Sequence, residues 1–154
     1  MMKRRRFLTT AAGASCAMVA GRQAAEAGSM AETDLLKMLD AFAAAWNRHD
    51  VDALMSHMAD QCVFEGAAGK DVAGTRHVGR DAVRTAYAAI WQTYPDAQWN
   101  GARHFVAGNR GVSEWTFTGT TKEGVKVEMN GCDIFTFEGG RIALKNSYRK
   151  QRSA

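Results

Sequence analysis

The chain has 154 residues, 46% of them hydrophobic and 23% charged, which is enough material to bury the core of one globular domain. Its formal net charge is +4, but residues 1–27 hold five of the 20 Lys and Arg and one of the 16 Asp and Glu, leaving 15 of each in residues 28–154. A neutral remainder has no cationic excess to displace counterions from a phosphate backbone, so nucleic acid is excluded as an expected partner.

The first 27 residues have the pattern of an export signal. Four cations at 3–6 precede an apolar and small-residue stretch over 7–20, and Ala25 and Ala27 place small residues at the spacing that a signal peptidase needs. The apolar stretch is too short and too rich in Ala and Gly to span a bilayer, so stable membrane insertion is not expected. The segment 4–8, Arg-Arg-Arg-Phe-Leu, resembles the twin-arginine export pattern, which implies a periplasmic location. One domain over 28–154 is expected to remain.

Helices are predicted in the first half of this domain. Thr33 is a candidate cap for a first helix, and Asp50 is a good N-cap for a short second helix over 51–58. A third helix is predicted over 80–92, because Pro95 disfavours helical backbone just before it. The apolar residues of the first helix form one stripe: Leu35, Leu39, Phe42 and Trp46.

Strands account for most of the rest of the chain. They are predicted at 62–65, 99–107, 111–120, 125–137 and 141–150, with a glycine-containing loop at 66–78 and tight turns between the last four strands. Consecutive strands joined by tight turns form an antiparallel meander, and the helices that precede it must cover one face of the sheet. The sequence therefore predicts an α+β fold in which a curved sheet wraps around three helices and leaves a cone-shaped cavity.

One carboxylate interrupts an apolar face of the longest predicted strand. Counting by twos from Asp133 gives only apolar residues and glycine: Val127, Met129, Gly131, Phe135 and Phe137. A carboxylate in such surroundings must be paired, hydrogen-bonded, or kept neutral by a raised pKa. Each outcome favours a functional pocket with Asp133 as its acid or base. A structural carboxylate at the mouth of the sheet is the alternative.

The residue opposite Asp133 on the last strand depends on the turn at 139–140. A two-residue turn places Asn146 there, whereas a three-residue turn with a glycine bulge places Lys145 there. Lys145 would hold the carboxylate ionised as a base, and Asn146 would tolerate it neutral as an acid. Both are candidate catalytic helpers. Asn146 is preferred because three apolar or aromatic residues then share its face: Ile142, Leu144 and Tyr148.

Aromatic and neighbouring side chains are candidates to line the cavity. The predicted substrate-binding residues are Trp46, Glu65, His77, Trp91, Trp115, Met129, Phe135 and Tyr148. For each aromatic residue, a plain core position is the alternative. No His or Cys pair has the spacing of a metal site, and no cofactor motif is present, so neither a metal nor a cofactor is expected. Cys62 and Cys132 are expected to be free thiols.

Several segments, in this order, resemble the nuclear-transport-factor-2-like superfamily, in particular its SnoaL-like polyketide cyclase and ketosteroid-isomerase-like branches. The segments are 45–54, 58–65, 79–83, 133–137, 140–142 and 146–148, and the resemblance covers nearly all of 33–150. It implies the cone-shaped α+β barrel of the NTF2-like or cystatin-like type, with His77 at the cavity rim and a small hydrophobic ligand. It also implies a homodimer formed through the outer sheet face, including Ile134.

The ketosteroid isomerase pattern is only partly present. Asp133 matches the carboxylic acid that stays protonated in those enzymes and donates to the developing enolate oxygen. The partner tyrosine would fall at Phe42 and the catalytic base at Gly66, and neither residue carries the required group. Glu65 replaces the base only if its side chain turns inward. Steroid isomerisation is therefore rejected as the specific activity.

Two functional classes remain open. The first is a small exported enzyme that needs no cofactor and performs isomerase, cyclase or dehydratase chemistry on an activated carbonyl compound, with Asp133 moving the proton. The second is a non-catalytic module that binds a hydrophobic small molecule or a protein partner. This fold hosts both classes, so the fold alone does not decide between them.

Overall fold

The computed structural model describes residues 30–151. The predicted export signal lies outside these residues and stays a prediction. Within the described part, the chain forms three helices and six strands, two of which precede the third helix, in the α+β arrangement that the sequence predicts.

The three helices are α1 (Glu32–Asn47), α2 (Val51–His57) and α3 (Arg80–Thr93). The predicted stripe of α1 is buried along its whole length, which confirms that this face meets the core. Asp50 caps α2 as predicted, because its Oδ1 accepts a hydrogen bond of 2.9 Å from the Ala53 amide. Thr33 does not cap α1: Ala31 holds the N-cap position, and no side chain caps the helix.

The sheet has six strands. They are β1 (Met58–Glu65), β2 (Arg76–Val78), β3 (Gln98–Ala107), β4 (Arg110–Thr120), β5 (Lys126–Glu138) and β6 (Arg141–Arg149). In space their order is β2-β1-β6-β5-β4-β3, and the last four form the predicted antiparallel meander. Two features were not predicted: β1 pairs in parallel with β6, and β2 forms inside the predicted loop. The sheet is curved and open, and the helices cover its inner face.

A stack of three indole rings connects α1 to the inner face of the sheet. Trp99 lies between Trp46 and Trp115, with ring centroids 4.4 and 5.5 Å apart and planes within 7° of parallel. Aromatic rings in offset stacks add to the stability that their burial provides. The stack leaves a flat aromatic wall beside the space between α3 and the sheet.

Candidate functional site

A cavity of about 350 Å³ opens between α3, the loop that follows β1, and the inner face of the sheet. This volume is within the range of small-molecule sites. Its walls are mainly aromatic and apolar: Trp46, Phe64, Ala86, Ala89, Ile90, Tyr94, Trp99, Trp115 and Phe117. Polar residues also line it: Thr75, His77, Thr93, Arg149 and, two residues apart on β6, Lys145 and Ser147. A ligand in this cavity would therefore meet a mainly apolar surround, with the Lys145 and Ser147 side chains hydrogen-bonded to each other in its wall.

Asp133 lies directly behind those two polar groups and is 0% exposed. Its Oδ1 accepts hydrogen bonds from Lys145 Nζ at 2.7 Å and from Ser147 Oγ at 2.5 Å. Its Oδ2 accepts one from Trp115 Nε1 at 2.9 Å. The carboxylate that interrupts the apolar face is thus paired and hydrogen-bonded, which is how a buried charge is tolerated in a protein interior.

The strand register corrects the predicted partner of Asp133. The turn at 139–140 has two residues, as the preferred prediction requires, since Glu138 pairs with Arg141. A bulge then shifts the register, and the residue opposite Asp133 is Ser147. The predicted place of Asn146 opposite Asp133 is therefore wrong: Asn146 lies opposite Ile134 on the outer face.

Lys145 reaches Asp133 diagonally, from its place opposite Phe135. It is 2% exposed, and its Nζ lies 4.7 Å from the ring centroid of Phe64 and 5.2 Å from that of Trp99. Burial lowers the pKa of Lys145 from its ordinary value, and the Asp133 carboxylate opposes that shift. Nζ also donates to Ser147 Oγ at 2.7 Å. The amine is one of the basic groups in the cavity lining, together with the side chain of Arg149.

Asp133 itself does not line the cavity, so its predicted direct contact with a ligand is not available in this structure. Its hydrogen-bond partners Lys145 and Ser147 lie between the carboxylate and the cavity. Ser147 was missed by the sequence prediction. Ser147 follows Lys145 by two residues, so the two side chains share one face of β6. The bulge decides whether that face is the inner or the outer face of the sheet.

Three of the predicted binding residues line the cavity, namely Trp46, His77 and Trp115. The predicted inward role of Glu65 is wrong, because its carboxylate is buried in an ion pair with Arg76, with Oε1 and Nη1 2.9 Å apart. Phe135 is 0% exposed and belongs to the core. Trp91 and Met129 pack against that core and do not line the cavity.

Tyr148 lies on the wrong side of the sheet for the predicted binding role. The bulge places it opposite Cys132 on the outer face, where it is 51% exposed and its hydroxyl accepts a hydrogen bond of 3.1 Å from Asn146. Cys132 is a free thiol, as predicted, and so is the buried Cys62.

Gly131 makes room for the indole that holds Asp133. A Cβ built on Gly131 would lie 2.4 Å from Cη2 of Trp115, a distance that side chains do not tolerate. We expect Gly131→Ala to displace this ring, break its hydrogen bond to Asp133, and lower the free energy of unfolding by about 1–3 kcal/mol. Urea denaturation measures the loss, and near-ultraviolet circular dichroism reports the displaced indole.

Gly66→Ala is the matched control for that substitution. A Cβ at Gly66 meets its nearest atom, the Thr75 carbonyl oxygen, at an ordinary 3.6 Å. An equal loss of stability in both variants would contradict the role assigned to Gly131.

Residues 30–151 contain neither a candidate metal cluster nor a candidate membrane-spanning helix. No group of three or more His, Cys, Asp or Glu side chains in this range is arranged to hold a metal ion. None of the helices described here is long and apolar enough to cross a membrane.

A curved antiparallel meander wrapped around three helices, with an apolar cavity between them, defines the nuclear-transport-factor-2-like class of α+β proteins. The SnoaL-like domain matches residues 39–145, which is more than half of the chain. The chain therefore belongs to the SnoaL-like domain family.

Solved structures agree with this fold. An NTF2-like protein of unknown function from Mesorhizobium loti is 27% identical, with a TM-score of 0.65 over 78% of this chain and 93% of that chain. A Xanthomonas campestris pv. campestris protein provisionally named a polyketide cyclase is 20% identical, with a TM-score of 0.69 over 76% and 90%. A Bacillus subtilis protein provisionally named an isomerase is 16% identical, with a TM-score of 0.67 over 79% and 90%. No curated protein matches the sequence.

Proposed function

We propose that this domain binds a small, flat, hydrophobic carbonyl compound and performs acid–base chemistry on it without a cofactor. The observation that carries the proposal is the cluster of Lys145, Ser147 and Asp133 beside an aromatic cavity of about 350 Å³. Buried polar groups that converge on an apolar pocket, one of them with a shifted pKa, are typical of a functional site. The names of the cyclase and isomerase neighbours support isomerase, cyclase or dehydratase chemistry as the class.

The roles follow from which atoms face the cavity. The Lys145 ammonium donates to the substrate's carbonyl oxygen and stabilises the negative charge that develops there on enolisation. The activated C–H gives its proton to Ser147 Oγ while the hydroxyl proton of Ser147 moves to Asp133 Oδ1, 2.5 Å away. The reverse transfer protonates the product. General acid–base catalysis of this kind contributes about 10²- to 10⁴-fold in rate.

A second function, binding without turnover, is favoured by two positions. Phe42 and Gly66 stand where the resembling isomerases carry a tyrosine and an aspartate, and neither supplies a proton donor or acceptor from its side chain. In this reading the cavity holds a hydrophobic ligand against Lys145, and the cluster serves to stabilise the fold. Loss of turnover but not of binding in Asp133→Asn supports the enzyme, because only turnover needs the proton relay.

Binding in the cavity is tested by filling it. Ala89 is an exposed residue of α3 that lines the cavity, so Ala89→Trp is expected to weaken the binding of benzaldehyde at least about tenfold, a loss of about 1.4 kcal/mol. Thr85→Trp is the matched control, because Thr85 is an exposed residue of the same helix that does not line the cavity. Saturation-transfer NMR measures binding. Equal binding by the two variants would place the ligand outside the cavity.

The outer face of the sheet is the proposed interface of a homodimer. Phe105 and Tyr148 are 56% and 51% exposed there, and Ile134 lies on the same face. Burying such side chains against a second copy is favourable. Sedimentation equilibrium is expected to give twice the chain mass, and Phe105→Lys is expected to halve it. A wild-type protein that sediments with the mass of one chain would contradict the interface.

The export of this domain through a twin-arginine-type leader is part of the same proposal. It is supported by the cations, the apolar stretch and the small residues of segment 1–27. The periplasm is the expected location.

A further inference from the structure

We propose that Lys145 is also a covalent nucleophile, whose amine forms a Schiff base with an aldehyde or ketone held in the cavity. The inference rests on the proposed function and specifies the reaction of the same site. It depends on where the amine lies, on what can take its proton, and on what the cavity can hold.

The amine of Lys145 differs in position from every other lysine amine in residues 30–151. Lys145 faces the cavity and is 2% exposed, with Nζ close to the rings of Phe64 and Trp99. The other five lysines of this range are exposed to solvent: Lys37, Lys70, Lys122, Lys126 and Lys150. A lysine desolvated in a hydrophobic pocket is the kind that supplies a neutral, nucleophilic amine. Burial lowers the pKa of Lys145 in the same sense.

A proton acceptor for the ammonium lies at hydrogen-bond distance. Transfer of one proton from Nζ to Asp133 Oδ1, 2.7 Å away, converts the ion pair to a neutral amine and a neutral carboxyl group. The exchange supplies the neutral amine without leaving an unpaired charge buried in the site. The lone pair on Nζ is then free to attack.

The bonds and protons balance without any further reagent. The Nζ lone pair forms a bond to the carbonyl carbon, the C=O π pair moves to oxygen, and that oxygen takes a proton by way of Ser147 from Asp133. Attack leaves the nitrogen with a positive charge and two protons, and one of these passes to Asp133. The relay through Ser147 delivers that proton to the hydroxyl group, which leaves as water while the nitrogen lone pair forms the C=N bond. The net change, counted from the ion pair, is ammonium plus carbonyl to protonated imine plus water, with no oxidation or reduction.

Such an imine compensates for the side-chain proton donor and acceptor that Phe42 and Gly66 do not supply. A protonated imine withdraws electrons from the neighbouring carbon more strongly than a carbonyl group, so the C–H beside it becomes acidic enough for a weak base such as the Ser147–Asp133 relay. The substrate class is set by the walls: a small aldehyde or ketone with a flat apolar body that fits against the indoles of Trp99 and Trp115.

Reductive trapping tests the inference on the full chain. The protein is incubated with benzaldehyde and sodium cyanoborohydride, which reduces an imine to a stable benzylamine, and the adduct is located by peptide mapping. We expect one benzyl group per chain on Lys145, formed faster than on any exposed lysine, because burial lowers the pKa of Lys145 and leaves more of its amine neutral. Lys70→Met is expected to keep this adduct and Lys145→Met to lose it.

The outcomes separate the two proposals because benzaldehyde binding is measured by saturation-transfer NMR on the same samples without reductant. Binding with no adduct on Lys145 of the wild-type chain overturns the Schiff base and leaves the binding function standing. Adducts that form on Lys70 as fast as on Lys145 also overturn it. Failure to bind overturns both proposals. The wild-type map alone decides between these outcomes, so the test holds even where Lys145→Met does not fold.

Discussion

Replacing Asp133 by alanine is expected to lower the free energy of unfolding by about 3–5 kcal/mol, one of the largest losses any single substitution should cause here. The change leaves the Lys145 ammonium buried against aromatic rings without its counter-charge, and it removes the acceptor of the Trp115 N–H. Urea denaturation of the wild type and the variant measures the difference.

A double-mutant cycle shows whether the loss belongs to the pair. Lys145→Met keeps an apolar chain of similar length but leaves the Asp133 carboxylate buried without its counter-charge. It is therefore expected to lower the free energy of unfolding as well. In the variant that carries both changes no buried charge is left unpaired, and its loss is expected to be smaller than the two single losses added, by about 0.5–3 kcal/mol. Strictly additive losses would contradict the buried ion pair.

Phe135→Ala is the second substitution with a large expected effect. Phe135 is 0% exposed and contacts the ring of Phe42 edge-on and that of Phe137 by stacking, at centroid distances of 6.0 and 6.1 Å. Truncating such a ring removes its burial and leaves a void, which costs about 3–5 kcal/mol. Because the structure places Phe135 in the core and not in the cavity wall, stability is expected to fall while benzaldehyde binding stays nearly unchanged.

Val125→Ala is the comparison for that loss. Val125 is 57% exposed in the connection between β4 and β5, where substitutions usually change stability by less than about 0.5 kcal/mol. If Phe135→Ala changed the free energy of unfolding little and weakened benzaldehyde binding, Phe135 would line the cavity, as the sequence predicted, and its core position would be contradicted.

Local pattern explains why the elements themselves could be predicted. The buried apolar residues of α1 repeat with the period of a helix, and apolar and polar residues alternate along the long strands with a period of two. The buried face of each element can therefore be identified from its own sequence. Asp133 was identifiable by the same alternation, because it is the one charged residue on an otherwise apolar strand face. Chain-local signals of this kind do not depend on which strands become neighbours.

The choice between Lys145 and Asn146 as partner of Asp133 could not be made from the sequence, because it depends on one bulge. The two-residue turn at 139–140 was anticipated, and on a regular ladder it would have set Asn146 opposite Asp133. One additional residue in β6 moves every later side chain to the other face, which brings Lys145 and Ser147 inward and turns Tyr148 outward. The parallel pairing of β1 with β6 was equally invisible, since it joins strands that are distant in the sequence.

A carbon-13 NMR titration of the lysine Cε resonances tests the acid–base site most directly, with Lys145→Met to assign the signal of Lys145. The pKa of Lys145 is expected to lie below that of the exposed lysines, because its amine is buried beside the cavity. Titration of Lys145 together with the exposed lysines, at their ordinary pKa, would show a hydrated amine and contradict a dry acid–base site at this position.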